Sequence, residues 1–160
     1  MKGKPEVVAV LNDMLKEELT AINQYILHAE MCENWGYKKL GGFIKKQSIG
    51  EMKHAEQLIE RILFLEGMPK LAEPMRLNIG KDVKQQIAND LKLEQGAVAE
   101  YNKAIELCRK NSDNATADFL KDILKDEETH VDFLETQLGL IDQLGYENYL
   151  VEQMGAGEGK

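Results

Sequence analysis

The sequence has 160 residues, and its 28 acidic against 20 basic residues give a formal net charge of −8. This acidic balance argues against binding to nucleic acid or to an anionic membrane, both of which favour a basic surface. No apolar run is long enough to span a bilayer and no secretory leader is recognisable, so a cytoplasmic protein is predicted. Cys32 and Cys108 stand far apart, which predicts buried free thiols rather than a disulfide.

The hydrophobic pattern predicts four long helices, at about 5–34, 38–65, 82–111 and 113–138 or slightly beyond. A short fifth helix is predicted at about 146–154, ahead of a frayed tail at 155–160. Short turns join the first helix to the second and the third to the fourth, so each pair runs antiparallel. The segment between the second and third helices is much longer and predicts a crossover. The expectation is one all-α domain over 1–160, a four-helix bundle over about 5–140 with one long crossover and a short C-terminal fifth helix.

Each long helix carries an apolar stripe with a glutamate in its middle. Two of these glutamates begin the motifs EMKH and EETH, in which Glu and His lie three residues apart and therefore share a helix face. The second helix pair repeats the first at a constant offset of 76 residues. The residues that this repeat brings to one level of the bundle are Glu18, Glu51, His54, Glu94, Glu127 and His130. Buried carboxylates need compensation, so the pattern predicts bound cations.

The composition of this set indicates which cations. Two glutamates from separate helices together with two Glu-x-x-His pairs form the ligand pattern of di-iron and di-manganese carboxylate bundles. Four carboxylates neutralise two divalent ions, and an oxygen-rich site with one imidazole per ion favours iron or manganese over structural zinc. Two such metals can each supply one electron to dioxygen or peroxide.

Two tyrosines and a methionine lie close to this pattern. Tyr25 and Tyr101 lie two turns beyond the lone glutamates, where each can hydrogen-bond a ligand, supply an electron or simply pack. Met52 is rotated by about 100° from Glu51, onto a second apolar stripe of its helix. That stripe predicts burial against a partner, most simply a second copy across a two-fold axis. On such a seam Met52 either packs or ligates a haem iron, and the residues alone leave both open.

The chain resembles the bacterioferritins, the haem-containing branch of the ferritin family, over nearly its whole length. The segments that carry the resemblance include ELTAINQYILHAEMCENWGYKKL, SIGEMKHAEQLIERILFLEGMPKL, DEETHVDFLETQLGLI and LGYENYL. The resemblance implies a ferritin-like bundle that assembles from dimers into a hollow homo-oligomeric shell of 24 subunits with ferric mineral inside. It also implies haem b at each two-fold interface, with Met52 as the axial ligand shared across that axis.

The resemblance further implies the activity. The six residues of the repeat match the ligands of two Fe per subunit, with Glu51 and Glu127 bridging, and Tyr25 matches a redox-active tyrosine. The implied function is iron storage and detoxification by a ferroxidase that oxidises Fe(II) with dioxygen or hydrogen peroxide. Haem would assist electron transfer for iron release, and a small ferredoxin is the implied electron donor.

The sequence departs from the family pattern at four positions. Lys46 and Gly50 stand where some members have His and Asp at an inner-surface iron site, and Phe133 stands where an oxidisable Trp is often found. Gly139 replaces an acid in a proposed pore for iron uptake, whose other positions are retained: Asn34, Glu66 and Asp132. The inner-surface site and the uptake route are therefore in doubt.

Two other functions fit the same motifs. A rubrerythrin-like di-iron peroxidase uses similar Glu-x-x-His pairs but normally needs a cysteine-ligated iron domain, which two isolated cysteines do not provide. A non-catalytic shell subunit would bind metal only for stability.

Overall fold

A computed structural model describes residues 1–155; residues 156–160, which are most of the predicted frayed tail, lie outside the described residues. The helices are α1 Pro5–Asn34, α2 Lys38–Phe64, α3 Val83–Lys110, α4 Asn114–Leu144 and α5 Tyr146–Glu152. Within the described residues there is no strand. The prediction of an all-α bundle with a long crossover and a short fifth helix is confirmed.

Three of the helix starts carry recognisable sequence signals. Pro5 opens α1, where its missing N–H costs nothing. The side chains of Asp82 and Asp113 cap α3 and α4. Each accepts a hydrogen bond from the backbone N–H of the residue three positions later, at 2.8 and 3.0 Å. The helix α4 continues to Leu144, further than the predicted end at 138 or slightly beyond. In this last stretch Ile141 is buried in the same apolar cluster as Tyr149 of α5, so tertiary packing extends the helix.

The crossover between α2 and α3 is held against α1 by polar side chains. Asn12 accepts the N–H of Lys70 at 2.8 Å, and Gln24 accepts that of Asn78 at 3.0 Å. The N–H of Gly80 donates to His28 Nε2 at 3.0 Å. A Cβ on Gly80 would lie 2.3 Å from the backbone nitrogen of Gln86, so only glycine fits there. His28 therefore has a structural role in holding the crossover.

The buried apolar residues form two clusters, one towards each end of the bundle. One cluster includes Leu11, Leu58 and Tyr101, and the other includes Tyr25, Ile44 and Leu134. On every long helix the inward glutamate comes between residues of the first cluster and residues of the second. The polar layer that they form therefore crosses the middle of the core.

The outer face of α1 and α2 carries a seam of exposed apolar side chains. Met52 is 44 % exposed, beside Ile49 at 46 % on the same helix, and Ile26 of α1 is 48 % exposed. These fractions describe one isolated chain, in which the predicted second apolar stripe faces outward. In the described part of the chain, no helix is both long and apolar enough to traverse a membrane.

Candidate metal centre

The structure brings the six side chains of the sequence repeat together in two overlapping groups. Glu18, Glu51, His54 and Glu127 form one group, and the other consists of Glu51, Glu94, Glu127 and His130. In each group one ligand atom per residue lies within 4.8 Å of all the others. Glu51 and Glu127 belong to both groups, which is the position of residues that bridge two ions.

Both histidines turn Nδ1 towards the carboxylates. His54 Nδ1 lies 3.0 Å from an oxygen of Glu51 and 3.0 Å from an oxygen of Glu127. His130 Nδ1 lies 2.8 Å from Glu51 and 3.3 Å from Glu94. Each imidazole therefore faces one lone glutamate and the shared pair, so that the centre has the pseudo-two-fold symmetry of the repeat.

Several atoms of the centre are buried without an aligned hydrogen bond among the described residues. They are Glu51 Oε1, Glu127 Oε1 and His130 Nδ1. Glu51 Oε1 and His130 Nδ1 are only 2.8 Å apart, yet they do not form a directed bond. Buried polar atoms are normally satisfied, and these atoms converge on shared points instead of on one another. The donor set therefore fits metal ions.

The protonation of the metal-free centre is set by burial and by the six groups acting on each other. Burial raises the pKa of Glu18 and of Glu94 well above the ordinary value, which favours the protonated form of both. Burial also acts to raise the pKa of Glu51 and of Glu127, but close polar contacts with neighbouring side chains, including both histidines, lower it overall.

For the two histidines, burial acts to lower the pKa. Close contacts with the carboxylates, that of Glu127 first, outweigh it and raise the pKa of His130 to about 12. Such contacts also raise the pKa of His54. Two imidazolium groups then balance two ionised glutamates. With the protonated forms of Glu18 and Glu94 also favoured, these shifts point to a neutral metal-free centre, the state that burial favours.

This balance predicts how many protons metal binding displaces. Two divalent ions need four ionised glutamates and two neutral histidines, so we expect a release of about four protons per pair of ions at neutral pH. The count can be measured with Co(II) by calorimetry in two buffers that differ in ionisation enthalpy. A release of about two protons or fewer would contradict the protonation states described.

Comparison with known proteins decides the family. A profile described as "Ferritin-like domain" matches residues 8–144. A bacterioferritin of Mycolicibacterium paratuberculosis is 45 % identical over 149 residues, which cover 93 % of this chain and 94 % of that protein. A bacterioferritin of Brucella melitensis is 46 % identical, over 93 % and 92 % of the two chains. The chain belongs to the bacterioferritin family. Membership supports a role in iron storage and, in general terms, in iron oxidation.

In this bacterioferritin-family chain, each of the two lone glutamates accepts a hydrogen bond from a buried tyrosine. The hydroxyl of Tyr25 on α1 donates to Glu94 on α3, and that of Tyr101 on α3 donates to Glu18 on α1. Burial raises the pKa of both tyrosines well above the ordinary value, so each keeps the proton it donates. Such bonds hold carboxylates in the orientation that a metal needs. Tyr101 thus does more than pack, and the two bonds cross between the helix pairs.

Asp126 is a neighbour of the centre that the sequence interpretation missed. Its carboxylate accepts a hydrogen bond from His54 Nε2 at 2.9 Å, on the side of the ring away from the glutamates. A carboxylate there fixes the tautomer that leaves Nδ1 free for a metal. The side chain is 63 % exposed and follows no inward stripe. The signal in the sequence that points to Asp126 is its position directly before Glu127.

We expect Asp126→Asn to weaken metal binding by about tenfold, because the amide holds the imidazole less firmly than a carboxylate does. Competition titration of Co(II) measures the affinity. Asp122→Asn is the matched control, since Asp122 is an exposed residue one turn earlier on α4 that forms a salt bridge with Lys125. Equal affinities in the two variants would show that Asp126 does not support His54.

Proposed function

We propose that the chain is a ferroxidase subunit of an iron-storage shell. In this proposal Fe(II) is oxidised to Fe(III) at the centre formed by Glu18, Glu51, His54, Glu94, Glu127 and His130. The ferric product is stored as mineral inside a cytoplasmic homo-oligomer of 24 subunits built from dimers. The product either moves to the mineral, or the centre stays in place and takes electrons from iron oxidised in the cavity.

The observation that carries the proposal is the sharing of Glu51 and Glu127 by two four-residue groups. This arrangement would hold two ions side by side, each with oxygen ligands and one imidazole, and such a donor set suits iron. Two Fe(II) ions supply two electrons. With two protons, these reduce dioxygen to hydrogen peroxide, or hydrogen peroxide to two water molecules. The chain itself supplies the ligands and their orientation, and its net charge of −8 draws cations towards the protein.

We also propose haem b on the two-fold axis between paired subunits, with Met52 of each as an axial ligand. The exposed seam around Met52 supports this, because an apolar face of one chain needs a partner. Met52 lies one residue from Glu51, so electrons passing between the haem and the centre would cross a single helix. Haem would then assist the reductive release of iron, with a small ferredoxin as donor.

A rubrerythrin-like peroxidase is less well supported. Cys32 and Cys108 are buried in different core clusters, and neither is free to ligate an iron of its own. Burial raises the pKa of Cys32 to about 12 and that of Cys108 to about 11, which disfavours the thiolate that a metal needs.

Particle mass and iron stoichiometry test the proposal together. Shells of 24 chains of 18.1 kDa have a mass of about 430 kDa by light scattering. Aerobic titration of the metal-free shell with Fe(II) should show a first fast phase that ends at two Fe per subunit. A monomer or an isolated dimer would reject the shell, and the absence of a fast phase would reject the ferroxidase.

A further inference from the structure

A small cavity lies beside the candidate metal centre, lined by residues of all four long helices. Its inner wall is formed by Tyr25, which bonds Glu94, and by His130. The space in which the midpoint of a water-sized molecule can lie has a volume of about 20 Å³. Since one water needs roughly 10–15 Å³ measured in this way, the cavity has room for one molecule of one or two heavy atoms.

Two stacked aromatic rings close the outer side of this cavity. The rings of Phe43 and Phe133 have centroids 4.0 Å apart and an angle of 24° between their planes. Both rings also line a surface groove of about 320 Å³ between α2, α4 and α5. The pair is therefore shared by the walls of the groove and the cavity, where a shift of either ring would connect the two.

Gln47 indicates what the cavity binds. It lines the cavity, and its Oε1 is buried without a hydrogen-bond partner among the described residues. Hydrogen peroxide or water could donate a hydrogen bond to this acceptor, whereas dioxygen would occupy the space through apolar contacts alone. The remaining wall is apolar and includes Ile44, except for Asp90, whose carboxyl group is already bonded to Gln24 and His28. A hydrated cation would therefore lose its water shell with little compensation there. A small neutral molecule fits, and Fe(II) does not.

We propose that the cavity holds the oxidant, a neutral two-oxygen molecule (dioxygen or hydrogen peroxide), and that Phe43 and Phe133 gate its access from the groove. This rests on the proposed ferroxidase function. The oxidant takes one electron from each of two Fe(II) ions and two protons from solvent, as balanced above. Oxidant and metal ion then reach the centre by separate routes, because the apolar passage rejects the ion.

Xenon tests the cavity without iron or activity. Crystals of the metal-free protein under xenon pressure should show one xenon atom between Phe133 and Tyr25, since xenon occupies apolar cavities that admit dioxygen. Ile44→Phe should fill the space and remove that xenon. Ile105→Phe is the matched control, because Ile105 is equally buried, at 5 % against 7 % exposed, but belongs to the other core cluster. Absence of xenon from the wild-type cavity would overturn the proposal.

Stopped-flow oxidation of bound Fe(II) tests the role of the cavity and separates the two oxidants. Ile44→Phe should slow oxidation about fivefold or more relative to Ile105→Phe, because the oxidant loses its place beside the centre. Gln47→Leu removes the hydrogen-bond acceptor. If Gln47→Leu oxidises Fe(II) more slowly with peroxide alone, peroxide is the occupant. If the rate with dioxygen is unchanged in Gln47→Leu but lower in Ile44→Phe, dioxygen is the occupant.

Two failures can be told apart. If the wild-type protein binds Co(II) but oxidises Fe(II) with neither oxidant, the proposed function is wrong. If wild-type oxidation is fast and Ile44→Phe matches Ile105→Phe with both oxidants, only the oxidant cavity is wrong.

Discussion

The Glu94→Ala variant is expected to oxidise Fe(II) at least about 100-fold more slowly than the wild-type protein when mixed with dioxygen in a stopped-flow spectrometer. Glu94 belongs to only one of the two groups, so its loss leaves the ion at that position with Glu51, Glu127 and His130. Three carboxylates cannot neutralise two divalent ions in a buried site, and the second ion binds weakly. Without it, only one electron is available beside the oxidant.

The truncation also removes the acceptor of the Tyr25 hydroxyl, which costs about 1–3 kcal/mol when a buried donor is left unpaired. Glu94→Gln separates this effect from the loss of charge, because its amide oxygen still accepts the bond. Both variants should lose oxidation, whereas Glu106→Ala, an exposed position on the same helix, should keep it. Thermal unfolding and particle mass check the fold. Equal rates of Fe(II) oxidation in the wild-type protein and Glu94→Ala would contradict the proposed ferroxidase activity and favour a non-catalytic shell subunit.

The Met52→Leu variant is expected to lose the Soret absorption of bound haem while the shell still assembles. Leucine matches methionine in volume and apolar character, so packing across the seam should change by less than about 1.5 kcal/mol. Only the thioether sulfur is lost, and that atom is the proposed iron ligand. Absorption spectra of the wild-type and variant proteins, each loaded with haem and freed of excess, measure the effect.

Met68→Leu is the matched control for this experiment. Met68 is 77 % exposed and lies on the crossover, away from the exposed seam of α1 and α2. It should retain the full Soret band. An unchanged band in Met52→Leu would refute ligation by Met52. Loss of the band together with loss of the dimer would instead assign Met52 to packing.

The sequence by itself determined the helices and the faces that they present. Helix geometry is local, so the spacing of apolar residues and the three-residue step in EMKH and EETH place side chains without knowledge of their partners. The offset of 76 residues then indicated that one helix pair repeats the other. On that basis the six residues from Glu18 to His130 could be singled out, and the structure brings all six together.

Contacts between helices were decided only by the tertiary structure. The sequence placed Tyr25 and Tyr101 on the faces of their own glutamates, but each bonds the glutamate of the other helix. Asp126 reaches His54 across α2 and α4, 72 residues away in the chain, and no periodicity predicts that pair. The ring stack of Phe43 on Phe133, with the cavity behind it, likewise depends on how two helices meet. Periodicity assigns a face within one helix, whereas the rotation and depth at which helices pack emerge from all side chains of the core acting together.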